Sequence, residues 1–281
     1  MTGSGYIHGF GEEESRRLWE QAGILAPMVF SELPLPRHGS LLEIGCGVGA
    51  QLNQIALRCP DLQLTGIDLS LANLGAAQKF LPASAASSAQ VLQANALALP
   101  FPDDSFDTAI TIWMLEHVRD PVAVLREAVR VIKPGGSLFC TEVDNATFRF
   151  VPELTAIQHW WDLFCIQQSA GGGDPFVGQK LRELAQGLGC EDVSTKELAL
   201  ASSEMGPTRR AELLDYLEEL LLSGAAALQK DPQVMAQSAG NLGSLEEVLS
   251  GLKEEFAHAK ADPTIAFDYH AVQLTCRTPL I

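Results

Sequence analysis

Apolar positions along the chain follow two alternating periods. Leu41, Leu42 and Ile44 form a short strand-like run that closes on Gly45-Cys46-Gly47-Val48-Gly49-Ala50, and Gln51 to Leu57 continues at helical spacing. Leu62 to Asp68 reads as a second strand, Leu71 to Phe80 as a helix, and Val91-Leu92 as a short third strand. Phe106 to Trp113 is apolar with few breaks, the pattern of a central parallel strand buried on both faces. Val122 to Ile132 predicts a helix with Pro121 in its first turn; Lys133-Pro134-Gly135-Gly136 ends it, and Ser137 to Val143 is the fifth strand. Strands alternating with helices predict an α/β fold with helical crossovers.

On either side the texture differs. Residues 1–11 set Tyr6, His8 and Phe10 among glycines, which suits either a frayed tail or a lid. Glu12 to Met28 is an amphipathic helix with Leu18, Ala22 and Leu25 on one face. After Asp144 come a bulky helix (Pro152 to Gln168), a Gly171-Gly172-Gly173 break, and a helix from Val177 to Gly187. A sixth strand (Cys190 to Ala199), an apolar helix (Arg209 to Gln229), a more charged helix (Leu245 to Lys260) and a last strand (Ala266 to Thr275) complete the chain. The expected architecture is an α/β, Rossmann-like, doubly wound, seven-stranded, mostly parallel sheet with an added helical cap. Residues 1–38 form a lid and helix, and 39–200 the core with a helical insertion near 145–180. Residues 201–262 form the cap, and 263–281 the core's final strand.

Composition narrows the partners. The 281 residues are 47% hydrophobic, enough for a sizeable core, and carry a formal net charge of −16. Such a surface repels phosphate backbones, so no nucleic acid is expected. The six cysteines are scattered without a CxxC pair, which favours reduced thiols and gives no metal site. Neither a signal peptide nor a run long enough for a membrane span is apparent, so a cytoplasmic protein without stable membrane insertion is expected.

The glycine stretch sets the chemistry. A strand feeding a helix through such a turn aims backbone N–H groups and a helix N-terminus at a ligand above the strand's end. Asp68 ends the second strand nineteen residues after Gly49, where a carboxylate accepts hydrogen bonds from ribose hydroxyls. Gly45 to Ala50 also satisfies the Gly-x-Gly-x-x-Ala pattern of dinucleotide oxidoreductases. Three features point away from that reading: Glu43 two residues before Gly45 with Gly49 completing G-x-G-x-G, the Lys133–Gly136 turn, and a late strand after a large insertion instead of a second βαβαβ half.

With Asn95-Ala96, Leu99-Pro100-Phe101, Phe106-Asp107 and Leu115-Glu116-His117-Val118, these residues resemble class I S-adenosylmethionine-dependent methyltransferases. The branch is that of ubiquinone/menaquinone-biosynthesis-like and small-molecule enzymes, and the resemblance covers residues 40–145. It implies S-adenosylmethionine as cofactor. Gly45, Cys46 and Gly47 would pass their backbone under its methionine part, Asp68 would hold the ribose, Leu69, Asn95 and Ala96 would lie at the adenine, and Glu43, Gln51 and Asn73 are further candidate cofactor contacts. Met114 would lie near the sulfonium, and His117 would pack beside the cofactor or serve as a structural helix-start histidine. Asn95 stands where the family usually has an acid, so its contact lacks charge assistance.

Methyl transfer displaces a sulfonium leaving group in line, and a base is needed only where the acceptor must lose a proton. Glu142, Asp144 and His8 are the candidate bases; Tyr6, Phe10, His159 and Trp160 are the candidate acceptor contacts. The apolar cap suggests a small apolar or aromatic acceptor, or a homodimer partner sharing that face. A catalytically silent partner subunit, motivated by Asn95, and an NAD-dependent oxidoreductase are the alternative readings.

Overall fold

In the computed structural model, residues 11–202, 205–224 and 245–280 are described. The strands are β1 (Gly39–Ile44), β2 (Leu62–Asp68), β3 (Gln90–Gln93), β4 (Phe106–Ile112), β5 (Ile132–Val151), β6 (Glu191–Ala199) and β7 (Ala266–Arg277). They form one seven-stranded sheet in the order β3-β2-β1-β4-β5-β7-β6. The pairs β1/β2, β1/β4, β2/β3 and β4/β5 are parallel. The strand order reverses beside β1, which is the switch point where open sheets bind ligands beyond their carboxyl ends. This is the doubly wound, Rossmann-like α/β fold expected from the apolar periodicity.

The helices are α1 (Glu12–Phe30), α2 (Ala50–Arg58), α3 (Leu71–Phe80), α4 (Pro121–Val131), α5 (Thr155–Ala170), α6 (Leu181–Gly187), α7 (Pro207–Ser223) and α8 (Leu245–Ala261). The described residues divide into two compact units. The larger comprises Phe10–Val143, Phe176–Leu198 and Ala271–Ile281; the second contains Asp144–Pro175 and Ala199–His270.

In the larger unit the sheet is buried on both faces, as alternating side chains require. Leu42 and Ile44 of β1 join Val124, Leu125 and Ala128 of α4 on one side. Leu41 joins Leu52 and Ile55 of α2 and Val29 of α1 on the other. Leu18, Trp19 and Ala22 of α1 pack on Val48 and Ala50, beside the glycine loop.

The second unit has its own aromatic core. Phe148 stacks on Trp161 at 4.1 Å, and Trp161 Nε1 donates to Asn145 O at 2.9 Å. Tyr269 Oη donates to Asn145 Oδ1 at 2.8 Å. Arg210 closes the end of α8 by donating Nη2 to the carbonyls of Ala259 and Ile265, both at 2.7 Å.

Two elements differ from the sequence reading. Lys133–Gly136 does not separate helix from strand; it is an outward bulge within β5, because Ile132 pairs with Phe106 and Ser137 with Thr108. Asp107 holds the bulge by accepting from Lys133 Nζ at 2.6 Å, and it also accepts from Ser40 N–H at 2.8 Å. The stretch from Val177 is also not one helix, since a short 3-10 turn (Val177–Lys180) precedes α6.

The bulge leaves no room at its base: a Cβ on Gly136 would lie 2.4 Å from Ile132 Cγ2 and 2.7 Å from Asp107 O. Gly136→Ala is expected to destabilise the protein by about 1–3 kcal/mol through overpacking. Thermal unfolding checks this; an unchanged midpoint would show that the bulge relaxes freely.

Candidate active site

The glycine loop joins β1 to α2. Gly45 and Gly47 have φ of +79° and +52°, the left-handed region that side chains rarely adopt. A Cβ on Gly45 would strike Met114 Cγ at 2.3 Å, whereas one on Gly47 would meet nothing within 4 Å. The space above Gly47 is therefore open to a ligand.

Four of the loop's N–H groups are already engaged. Gly45 and Cys46 N–H both donate to Ile67 O at 2.8 Å, and Gly49 N–H donates to Cys46 O at 2.8 Å. Gly47 N–H donates to Asp68 Oδ2 at 2.9 Å. A pyrophosphate cradle needs such groups free. What the loop offers instead is unpartnered acceptors: the buried Oε2 of Glu43 and Oε1 of Gln51 have no hydrogen-bond partner. Two orphan acceptors beside an open glycine fit a cationic, hydrogen-bond-donating group such as an aminoacyl ammonium.

Glu43 is fully enclosed, and burial together with nearby Asp68 pushes its carboxyl up to about 8, against a lesser pull from Leu52 N–H. Asp68 is raised too, chiefly by burial, although hydrogen bonds from Ser70, Gly47 and Asn73 oppose the shift. Its Oδ1 accepts from Ser70 N–H at 2.7 Å. A carboxylate has further lone pairs, so Asp68 can still accept from a ribose.

Beyond Asp68, Leu69 is 57% exposed and Leu97, which the sequence did not single out, is 47% exposed. Two large apolar side chains left in solvent at the sheet's binding edge suit the faces of a purine. Ala96 packs partly buried against the core. Asn95 Oδ1 accepts from Leu97 N–H at 3.0 Å, so one lone pair of that oxygen and its two N–H donors remain. The expected acceptor role of that oxygen toward an adenine amine is thus already contested within the loop.

At the end of β4 the backbone turns sharply. Trp113, half-buried, has φ +51°, an outlier for so bulky a residue and another feature sequence spacing did not signal. Its N–H donates to Thr141 O at 2.8 Å. Met114 follows and fills the space against Gly45. His117 Nε2 lies 3.7 Å from Glu116 Oε1.

Two expectations are corrected. Glu142 is 0% exposed, and its oxygens accept from the N–H groups of Met114 (3.2 Å), Leu115 (3.0 Å) and Glu116 (3.4 Å). An enclosed, internally bonded carboxyl is not a base facing an acceptor. Trp160 is likewise enclosed, donating Nε1 to Leu221 O at 2.9 Å, and belongs to the core of the second unit. Asp144 accepts from Ala146 N–H at 3.2 Å and stays half-buried. His159 keeps a buried Nε2 without a hydrogen-bond partner. Tyr6, His8 and Phe10 lie outside the described residues. Among the described residues no group of three His, Cys, Asp or Glu is arranged for a metal ion, and no helix is long and apolar enough to cross a membrane.

Residues 42–140 match the methyltransferase domain family. The cofactor of such domains is S-adenosylmethionine. The 27-O-demethylrifamycin SV methyltransferase of Amycolatopsis mediterranei is 34% identical over 139 residues, covering 49% of this chain and 51% of that protein. The demethylmenaquinone methyltransferase of Roseiflexus castenholzii is 40% identical over 108 residues, covering 38% and 44%. The chain thus spans about half the length of the curated relatives it matches. In fold it is similar to the [4+2]-cyclase SpnF, with a TM-score of 0.57 and 22% identity over 94% of this chain and 84% of that one. It is also similar to Haemonchus contortus phosphoethanolamine N-methyltransferase 2 in complex with S-adenosyl-L-methionine, with a TM-score of 0.55 and 19% identity over 93% and 53%.

The Glu43 carboxyl ionises near its ordinary 4.5 in the unfolded domain and at about 8 in the folded one. The folded state therefore holds this proton more tightly, and the associated stability is complete below about 4.5 and lost as pH climbs through 8. Without ligand, unfolding midpoints should fall over that window, and Glu43→Gln should flatten the fall. Equal slopes in both proteins would refute the assignment.

Proposed function

We propose that the chain is an S-adenosylmethionine-dependent methyltransferase acting on a small, apolar or aromatic acceptor by in-line displacement. The observation carrying this reading is a match to a methyltransferase domain whose glycine loop spends the N–H groups of Gly45, Cys46, Gly47 and Gly49 internally and presents two orphan acceptors, Glu43 Oε2 and Gln51 Oε1. The cofactor supplies a methyl group already activated on sulfur, so the protein's work is alignment and exclusion of water.

In this reading Glu43 and Gln51 accept from the aminoacyl ammonium, and Asp68 accepts from the ribose with the lone pairs Gly47 and Ser70 leave free. Asn73, which hydrogen-bonds to Asp68, steadies that carboxylate. Leu69 and Leu97 cover the purine, and Ala96 and Asn95 edge it. Met114 and His117, with Trp113, form the wall at the end of β4. An acceptor that must lose a proton needs a base; Asp144 is the described candidate and His8 the other. His159, Tyr6 and Phe10 are proposed to face the acceptor. The names of the two curated relatives, a demethylrifamycin and a demethylmenaquinone methyltransferase, support a small-molecule acceptor.

A second reading has one observation in its favour: a cyclase shares this fold, so the fold accommodates chemistry other than methyl transfer. A silent partner subunit belongs to the same class of alternatives. Isotope transfer from methyl-labelled cofactor into cell-extract metabolites separates them, since only the methyltransferase labels a product.

Calorimetric titration with S-adenosylhomocysteine tests the cofactor. The unaltered protein should bind, and Asp68→Ala should lose about 1.5–3 kcal/mol of binding, the worth of hydrogen bonds to a charged group. Absence of binding by the unaltered protein would overturn the proposal; full affinity in Asp68→Ala would remove the ribose role alone.

A further inference from the structure

Glu142 is the best-enclosed acid the proposed chemistry leaves unused. It sits near the middle of β5, yet its side chain reaches across to the end of β4. Oε1 accepts from Thr111 Oγ1 at 3.4 Å, Met114 N–H at 3.2 Å and Leu115 N–H at 3.0 Å, while Oε2 accepts from Glu116 N–H at 3.4 Å. Three consecutive backbone donors converge on one carboxyl, in place of the strand or helix partners they lack at a sharp turn. The same turn carries Trp113 at positive φ, a conformation that persists only where its surroundings enforce it. Immediately after Trp113, Met114 is packed so tightly on Gly45 that no Cβ fits there.

We propose that Glu142 is a positioning residue for the cofactor site: it clamps the turn 113–116, and through Met114 fixes the glycine loop in its ligand-receiving shape. The proposal rests on the reading of that loop as the cofactor's seat. Nothing in it requires charge. Burial and the neighbouring Glu116 push the carboxyl up to about 8, so the protonated acid predominates at neutral pH. In that form the carbonyl-type oxygen serves Met114 and Leu115, the two shorter backbone bonds. A glutamine offers the same oxygen at the same reach, whereas an alanine offers none.

The test is S-adenosylhomocysteine titration of the full chain carrying Glu142→Ala or Glu142→Gln, with Met114→Ala as a second background. Glu142→Ala should weaken binding roughly tenfold or more, as expected when a supporting group lets a site shift, and Glu142→Gln should restore it to within about threefold. In the Met114→Ala background the effect of Glu142→Ala should largely vanish, because the link is already cut. Equal affinity in Glu142→Ala and the unaltered protein would overturn the clamp. Loss in Glu142→Gln as severe as in Glu142→Ala would show that charge is what matters, and would overturn it too. Additive losses with Met114→Ala would refute transmission through Met114. If Glu142→Ala does not fold, Glu142→Gln and the Met114→Ala cycle with it still decide. Failure of the unaltered protein to bind would instead strike the cofactor reading on which the proposal stands.

Discussion

The hydrogen bond from Gly47 N–H to Asp68 Oδ2 joins the loop after β1 to the end of β2, beside the sheet's switch point. A loop with three left-handed glycines has no regular structure to hold its shape, and a flexible backbone alone would spread over many conformations. Asp68 ties the loop to the end of β2 while its other oxygen starts the turn into α3 through Ser70 N–H. Ile67 O receives two further loop donors. The end of β2 thus acts as a template against which the loop sets, and everything placed by the loop inherits that register.

A second consequence concerns charge. Glu43 and Asp68 are both acids; burial raises each, and the nearby Asp68 raises Glu43 further. Burying two such groups is unfavourable for the isolated domain. Arrangements of this kind persist where a ligand compensates them, and a cationic ligand does so directly. The electrostatics of the loop and the chemistry of its proposed occupant are complementary descriptions of one constraint.

Much of this was legible in sequence. The bounds of β2 and α3 follow from their apolar periods and from Ser70, which caps α3 by accepting from Asn73 N–H. Asp68 was identifiable because strand ends and glycine spacing determine its place before any tertiary contact forms. Glu142 was misread because a strand acid carries no mark of whether it faces solvent or a neighbouring turn; only the β4/β5 pairing decides. Trp160 misled for a related reason, since a helical tryptophan beside Trp161 and Phe164 looks alike as lining or as core. Leu97 and Trp113 gave no signal, because exposure and a positive φ arise from loop geometry that periodicity does not encode.

The strand order has a consequence for biosynthesis. β6 precedes β7 in the chain, yet β7 lies between β6 and β5 in the sheet. A nascent chain that has emerged through β6 therefore cannot seat that strand, and the far edge of β5 stays open until β7 follows, after α7, α8 and the intervening segments. An unpaired edge on an apolar sheet is a template for wrong partners. Closing that edge therefore depends on a long-range pairing with a strand from far along the chain, a contact that loop-closure entropy makes costly to form.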